Sequence, residues 1–464
     1  MPTTLEDAFR EIAELRALVK SQAALIAQQA ALIAELREKL GTNSKNSSKP
    51  PSSDPPSVSL VPPKKKSGKK RGGQHGHRRN SRELLPVEQV DHVVPVVPDQ
   101  CDCGHVLKGR DPEPLRHQVF ELPPIRPIVT EYQLHALNCP VCRRRVRASL
   151  PDGVSRCGVG PNVDATVGLL TGMCRLSKRT TSEVMNGLFH VPLCVGAVVD
   201  SQNRVSEALA APVEELRVHA QQQSIKHADE TSWKEMSKRV YLWAVVTPLI
   251  AVFSIAGRSS DVAKVVLGRV VGILCTDRYS GYAWWPVAMR QVCWAHLQRD
   301  FIKILERGGQ SFTVGLALLE ESERMFAWWG RVKDGDLKRK TFEVYMRTLR
   351  KRLRSHLEDG TQVDHLKTAR TCKQMLKVFE AFFTFVANEG VEPTNNMAEQ
   401  AVRFAVLWRK MSYGTQSARG SRFVERVVST YVTLRKQKRN VVEFLRQACS
   451  AHRRREAPPS LLPS

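Results

Sequence analysis

The sequence predicts an α/β protein. Its core is a mixed sheet interrupted by a helical insertion, with a small β module and a helical region ahead of it. Three observations carry this. Residues 224–304 alternate between β-rich runs and short amphipathic helical patterns. Residues 305–390 lose the strand pattern and show helical apolar stripes such as Met346, Leu349 and Leu353. Four cysteines pair closely, at 101/103 and 139/142, while the other Cys are scattered.

Composition narrows the class. The chain has 464 residues, 71 Lys or Arg against 46 Asp or Glu, and a formal charge of +25. A hydrophobic content of 42% excludes wholesale disorder. The length predicts roughly two to four domains. The charge excess predicts a polyanionic partner, most often nucleic acid. Eleven Cys are too few for a disulfide scaffold and suggest one metal site in a reducing compartment. The N-terminus lacks the pattern of a secretory signal. The longest apolar stretch, Tyr241 to Gly257, carries Pro248 near its middle and falls short of the roughly 20 residues of a membrane span. It reads as two buried strands, and the expected location is cytoplasmic with no membrane partner.

Residues 1–41 repeat every seven positions through Leu5, Ile12, Val19, Ile26, Ile33 and Leu40. Such a heptad predicts a coiled coil and a homo-oligomer, against the plainer reading of one amphipathic helix on its own protein. Residues 42–90 are poor in apolar groups and read as a disordered basic linker. Within it Lys64, Lys65, Lys66, Lys69, Lys70 and Arg71 are candidates for gripping DNA phosphates without reading sequence.

Residues 91–152 read as a zinc-finger module. Cys101, Cys103, Cys139 and Cys142 suit one structural Zn²⁺ held by four thiolates. Gly104 supplies positive φ after the first pair. Strands at 116–122 and 128–137 would form a hairpin bringing the two knuckles together. His105 could replace one Cys, and chance thiols in a small β module are the bland alternative. Residues 160–222 read as helices with a turn around His190 to Pro192, either a DNA-binding helix-turn-helix or a plain bundle.

From Ser224 the predicted order is β-β-β-α-β-(short helix)-β-α. That is the order of a ribonuclease H-like fold. Residues 223–304 and 391–445 would form this core, 305–390 the helical insertion and 446–464 a basic tail. SIKHADET is a strand reaching Asp229, VVGILCTD is a strand ending at Asp277, and MRQVCWAH is a fifth strand. A helix opening at Thr394 or Asn395 holds Glu399, with Arg403 one turn on. Three converging carboxylates repel one another unless cations neutralise them. Hard oxygen donors suit Mg²⁺ or Mn²⁺, and two ions at such a site suit in-line phosphoryl transfer on DNA. Taken singly, each Asp is as plausibly a turn residue, and Glu399 as plausibly a partner of Arg403. Spacing leaves Asp300, Glu306, Glu320 and Glu323 open as rivals for the third position. Arg409 and Lys410 could track the DNA backbone.

Several motifs occur in a fixed order: NSKNSSKPPSSD at 43–54, GGQHGH at 72–77, the Cys pairs, HADETSW, TDRYSGY, CWAHLQRDF at 293–301 and TNNMAEQAVR. In these the chain resembles transposases of the insertion-sequence-66 family, a branch of the DDE transposase superfamily. The resemblance implies that Asp229, Asp277 and Glu399 are the catalytic, metal-binding carboxylates, and that Cys101, Cys103, Cys139 and Cys142 are zinc-finger ligands. It implies active-site support from Cys293 and His296, a C-x2-H element. Asn396 and Arg403 are further support candidates, with Asn395 and Asn396 shaping the helix start. The expected activity is binding of terminal inverted repeats, DNA cleavage and strand transfer. The expected partners are double-stranded DNA and two small companion proteins. The chain departs from the family pattern in a C-x-C first knuckle and in Gln400, where Arg is usual. The rivals are a catalytically inactive, transposase-derived DNA-binding regulator and a nuclease of RNA–DNA hybrids or junctions.

Overall fold

The computed structural model describes Gln22, residues 82–152, Val154 and residues 156–463. The expected coiled coil, apart from Gln22, and the basic run from Lys64 to Arg71 lie outside the described residues. Residues 82–127 and 128–463 belong to two compact units, each taken by itself.

In the first unit, an isolated bridge between Gln100 and Val106 closes a knuckle. The Cys101 N–H donates to the His105 carbonyl at 2.9 Å and the Gly104 N–H to the Cys101 carbonyl at 2.8 Å. Gly104 takes φ +87° there, which a side chain would disfavour. The strand expected at 116–122 does not form, and residues 128–135 are not strand either. Pro123, Pro124 and Pro127 remove ladder donors where a hairpin would turn. The hairpin that does form lies in the second unit and surrounds the second Cys pair. Strand β1 (Ala136–Asn138) pairs antiparallel with β2 (Arg145–Arg147).

Four helices follow: α1 (Pro161–Gly168), α2 (Lys178–Gly187), α3 (Val195–Ala208) and α4 (Ala210–Gln221). Pro161 opens α1, where its missing N–H has no helical partner to lose. Ser177 caps α2 by accepting the Thr180 N–H at 3.0 Å. The connection from α2 to α3 spans 188–194, longer than the roughly three or four residues of a helix-turn-helix. Helix α3 packs against α1 and α2, and buries Val198 and Val205. That is the arrangement of a bundle.

The central sheet comprises β3 (Ile225–Glu235), β4 (Lys238–Val246), β5 (Ala251–Ala256), β6 (Ile273–Thr276) and β7 (Arg290–Val292), with α5 (Ser260–Leu267) between β5 and β6. Its spatial order is β5-β4-β3-β6-β7. Strands β3, β4 and β5 run antiparallel, whereas β6 and β7 run parallel to β3. The long apolar run divides at Thr247–Pro248 into β4 and β5, and the Thr247 N–H closes the turn on the Ile250 carbonyl at 2.9 Å. Gly272 leads into β6 with φ +65°, and a Cβ there would lie 2.1 Å from the Ser224 carbonyl oxygen. The fifth strand is shorter than expected. Helix α6 (Trp294–Leu305) begins one residue after β7 and takes Trp294 to His296, because Trp294, Leu297 and Phe301 share one buried helical face.

Next come α7 (Gly309–Lys333), α8 (Arg339–Gly360), α9 (Leu366–Lys377) and the short α10 (Thr384–Ala387). They share one core with β6, β7 and α6, in which Met346, Leu349 and Leu353 cluster with Trp329, Phe342 and Phe385 and with Val292, Trp294 and Phe301. The chain then returns to the sheet as α11 (Asn396–Ser412), α12 (Ala418–Lys436) and α13 (Val441–Arg454). Helix α11 crosses β3 and β4, and α12 runs along β5.

Helix α12 covers the sheet edge with side-chain oxygens. Thr433 accepts the Ala251 N–H at 3.0 Å, Ser429 accepts the Phe253 N–H at 2.9 Å, and Glu425 accepts the Ile255 N–H. The spacing explains the match. Four helical residues rise roughly 6 Å, and two strand residues rise roughly 6.7 Å. Edge donors that would otherwise template pairing with another chain are thereby used.

The segment 446–464 is not a free tail. Its first half is helical in α13 and Leu461 is buried. Gln437 and Arg439 donate to the carbonyls of Leu461 and Ser460 at 2.8 and 3.0 Å. The apolar Leu461–Leu462 pair gives this basic segment something to bury. Among the described residues, no helix is long and apolar enough to cross a membrane.

Candidate active site

Strands β3 and β6 pair in parallel as far as His227 and Cys275. Asp229 and Asp277 each stand two residues beyond that last pair, so they lie abreast where β6 ends. Asp229 is not at a strand end as expected. Strand β3 continues to Glu235, partnered there by β4. The Asp277 carboxylate accepts the Tyr279 N–H at 2.9 Å, and that of Asp229 accepts the Glu230 N–H at 2.9 Å.

The third carboxylate arrives on α11, whose start is fixed by Asn395. This buried side chain donates to the Ala228 carbonyl at 2.8 Å and bonds His227 Nδ1 through Oδ1 at 3.0 Å. Its backbone N–H reaches Cys293 Sγ at 3.1 Å. The helix is thus tied to the residue immediately before Asp229, and Glu399 follows one turn later. Asn396 is exposed, so these contacts belong to its neighbour.

The three acids act on one another's charge, although among the described residues their carboxylate oxygens do not gather within 4.8 Å of one another. Burial pushes the Asp229 carboxyl well above the ordinary carboxylate range, and the negative charges of Glu230, Asp277 and Glu399 push it further. A group in that setting ionises readily only with added positive charge. The donor set of three carboxylates fits a hard divalent cation such as Mg²⁺ or Mn²⁺.

Helix α6 lines the other side of Glu399. His296 Nδ1 lies 3.4 Å and the Arg299 guanidinium 3.8 Å from its carboxylate. Cys293 Sγ lies 3.8 Å away. Arg403 is exposed, and the ion pairs of Glu399 are those with His296 and Arg299 among the described residues. Of the rival acids, Asp300 pairs with Arg278 and with Lys303. Burial opposes its ionisation, but these cations hold its carboxyl below the usual range. Glu320 pairs with Arg324 at 3.5 Å on the insertion.

Two features escaped the sequence reading. Glu230 is a fourth acid beside the site, almost fully buried, paired with Arg258 at 2.8 Å and accepting the Tyr282 hydroxyl at 2.6 Å. The signal was its adjacency to Asp229, but charge alone could not tell a ligand from a supporting ion pair. Next to Asp277 a cleft of about 370 Å³ is lined by Arg278, Arg299 and Lys303 together with His296. Asp277 and Asp300 line it too, and Asp300 pairs with Arg278 and Lys303. Arg409, by contrast, is engaged with β3, donating to Thr231 Oγ1 at 3.1 Å and to Ser232. Lys410 remains exposed.

The cysteine pairs form one knuckle in each unit. Around the second, the Cys139 N–H donates to the Arg144 carbonyl at 2.9 Å and the Arg143 N–H to the Cys139 carbonyl at 2.8 Å. The Cys101 thiol is lowered, first by the Cys103 backbone N–H, and the Cys139 thiol, first by that of Cys142. Such N–H groups favour thiolates, which metal binding requires. Arg143, Arg144, Arg145 and Arg147 form an exposed basic face beside the second knuckle.

No curated protein matches the chain. Residues 2–83 match a family model described as a family of unknown function (DUF6444). Residues 178–422 match the family model described as Transposase IS66 family, and this match contains β3, β6, the insertion and α11.

Proposed function

The chain belongs to the IS66 family of transposases, and on that premise we propose that it cleaves and joins DNA ends at Asp229, Asp277 and Glu399. The observation that carries this reading is the parallel register of β3 and β6, which sets Asp229 and Asp277 abreast; burial raises the Asp229 carboxyl, and the charges of Glu230, Asp277 and Glu399 add to it. The sheet order β5-β4-β3-β6-β7, with β3, β6 and β7 parallel, supports a ribonuclease H-like core. In that reading the two aspartates stand on adjacent strands and the glutamate on a helix laid across them.

Two Mg²⁺ ions, or Mn²⁺ in their place, would be held by these carboxylates and would supply activation of a water or 3′-hydroxyl and charge stabilisation during in-line displacement. The other work falls to the chain itself. Asn395 fixes the start of α11 against β3, so that Glu399 faces the aspartates. The Tyr279 N–H orients Asp277. Arg299 lies beside Glu399, and with Arg278 and Lys303, both paired with Asp300, it would offer cationic contacts for the phosphates that flank the reacting bond. Glu230 pairs with Arg258, accepts the Tyr282 hydroxyl and supports the sheet beside the site.

The remaining assignments complete the account. The substrate is the terminal inverted repeats of a mobile element, followed by target DNA. The heptads of residues 1–41 would pair two protomers, as pairing two DNA ends requires. Lys64 to Arg71 would grip phosphates in a salt-dependent way. One Zn²⁺ held by Cys101, Cys103, Cys139 and Cys142 would fix the finger module, and two small companion proteins would join the assembly.

The test is strand transfer of a labelled repeat end in Mg²⁺, with any companion proteins present. Asp229→Ala, Asp277→Ala and Glu399→Ala are each expected to lose at least about 100-fold in joining while still binding the end. Joining at the wild-type rate by any one of them would remove that residue from the mechanism.

A further inference from the structure

Beside the carboxylates stands a second set of donors with different chemistry. Cys293 and His296 are the N-cap and third residue of α6, so the helical repeat turns both toward the first turn of α11. There Cys293 Sγ, His296 Nδ1 and a Glu399 carboxylate oxygen all lie within 4.8 Å of one another. The sulfur-to-oxygen distance is 3.8 Å and the nitrogen-to-oxygen distance is 3.4 Å. A tetrahedral Zn²⁺ with ordinary bond lengths holds such donors roughly 3.3–3.5 Å apart. Mg²⁺ chemistry does not call for a thiolate and an imidazole, whereas a borderline-soft ion does.

We propose that Cys293, His296 and Glu399 form a binding site for one thiophilic divalent cation of the Zn²⁺ type, which withdraws Glu399 from the catalytic carboxylates. Two further observations support it. His296 Nδ1 is buried and makes no hydrogen bond, although it lies close to Glu399. The Asn395 N–H on Cys293 Sγ supplies the outer-shell donor that a ligating thiolate uses. Arg299 at 3.8 Å from Glu399 opposes a cation here, while Asp277 adds negative charge nearby.

Three donors leave a fourth position for water, the pattern of an exchangeable rather than a closed structural site. Because a Glu399 oxygen held by this ion is lost to the aspartate side, occupancy slows strand transfer. That consequence rests on the catalytic reading of Glu399, whereas the site itself does not.

The test uses Co²⁺ as a spectroscopic probe on the full chain carrying Cys101→Ser, Cys103→Ser, Cys139→Ser and Cys142→Ser, which removes the finger thiols. One equivalent of Co²⁺ is expected to give a near-ultraviolet thiolate-to-cobalt band. The band should disappear with a further Cys293→Ser, and His296→Gln and Glu399→Gln should each weaken Co²⁺ affinity at least about tenfold. A folded chain, checked by circular dichroism, that shows no band overturns the site. So does a band that survives Cys293→Ser. Strand transfer by Glu399→Gln is read separately in the chain with its finger thiols intact. If it persists while the cobalt band behaves as expected, the catalytic reading falls and the metal site stands. If it is lost while the band ignores Cys293→Ser, the reverse holds.

Discussion

Asn395 holds more of the site together than any charge does. Its side chain satisfies the Ala228 carbonyl and His227, and its backbone N–H meets Cys293, so one residue links β3, α6 and α11. In the sequence it stands beside an identical residue, and both read as helix-start residues. Only burial separates them, and burial is a property of the assembled fold. Asn395→Ala leaves a buried carbonyl and imidazole unpaired. It is expected to lower unfolding stability by about 1–3 kcal/mol and to reduce strand transfer, whereas Asn396→Ala should change neither. Denaturant melts of both variants, read beside the joining assay, check this. The aspartates were legible because each follows a β-rich run. Glu399 was not legible from spacing, since Asp300, Glu320 and Glu323 fit as well. Charge pairing does not separate them, for Asp300, Glu320 and Glu399 all have cationic partners; what singles out Glu399 is that its charge acts on Asp229.

At the scale of elements, the sheet was read well where strands bury both faces and poorly where they bury neither. β4 and β5 follow from the apolar run divided by Pro248. The strand expected at 116–122 fails because Val119, Phe120 and Leu122 stay exposed, leaving alternation without a surface to cover. The oxygen ladder of α12 could not be seen at all, because Glu425, Ser429 and Thr433 are ordinary helix-surface residues until β5 lies beside them. Glu425 carries a pH signature. Burial pushes its carboxyl up to about 7, against the lowering effect of the Ile255 N–H. The folded chain therefore holds this proton more tightly than the unfolded chain does. The stabilisation is complete below the ordinary carboxylate pKa and is lost as pH rises through 7. Glu425→Gln keeps the acceptor oxygen and removes the charge. Its stability should match wild type at about pH 4 and exceed it by about 3 kcal/mol at about pH 8 in urea melts.

Over the whole molecule, charge and chemistry are distributed unevenly. The excess of +25 announced a polyanionic partner before any motif was considered. Yet Arg409, which looked free for DNA, serves the fold instead, as do two other C-terminal cations. Arg409 binds β3, Arg426 binds Ser206 and Arg439 binds the returning C-terminal segment. A basic residue in a helix reads the same whether it faces phosphate or a carbonyl. The cations lining the cleft, Arg278, Arg299 and Lys303, were hidden for the opposite reason, lying singly among acids in the sequence.

The central claim is that Asp229, Asp277 and Glu399 surround divalent cations together. It can be read directly by replacing Mg²⁺ with Fe²⁺ in the full chain, generating hydroxyl radicals with ascorbate, and mapping the backbone cuts. The account predicts cuts near 229, 277 and 399 in the same reaction, all suppressed by excess Mg²⁺. Cuts near 229 and 277 accompanied by 320–323, with the segment around 399 spared, would contradict it.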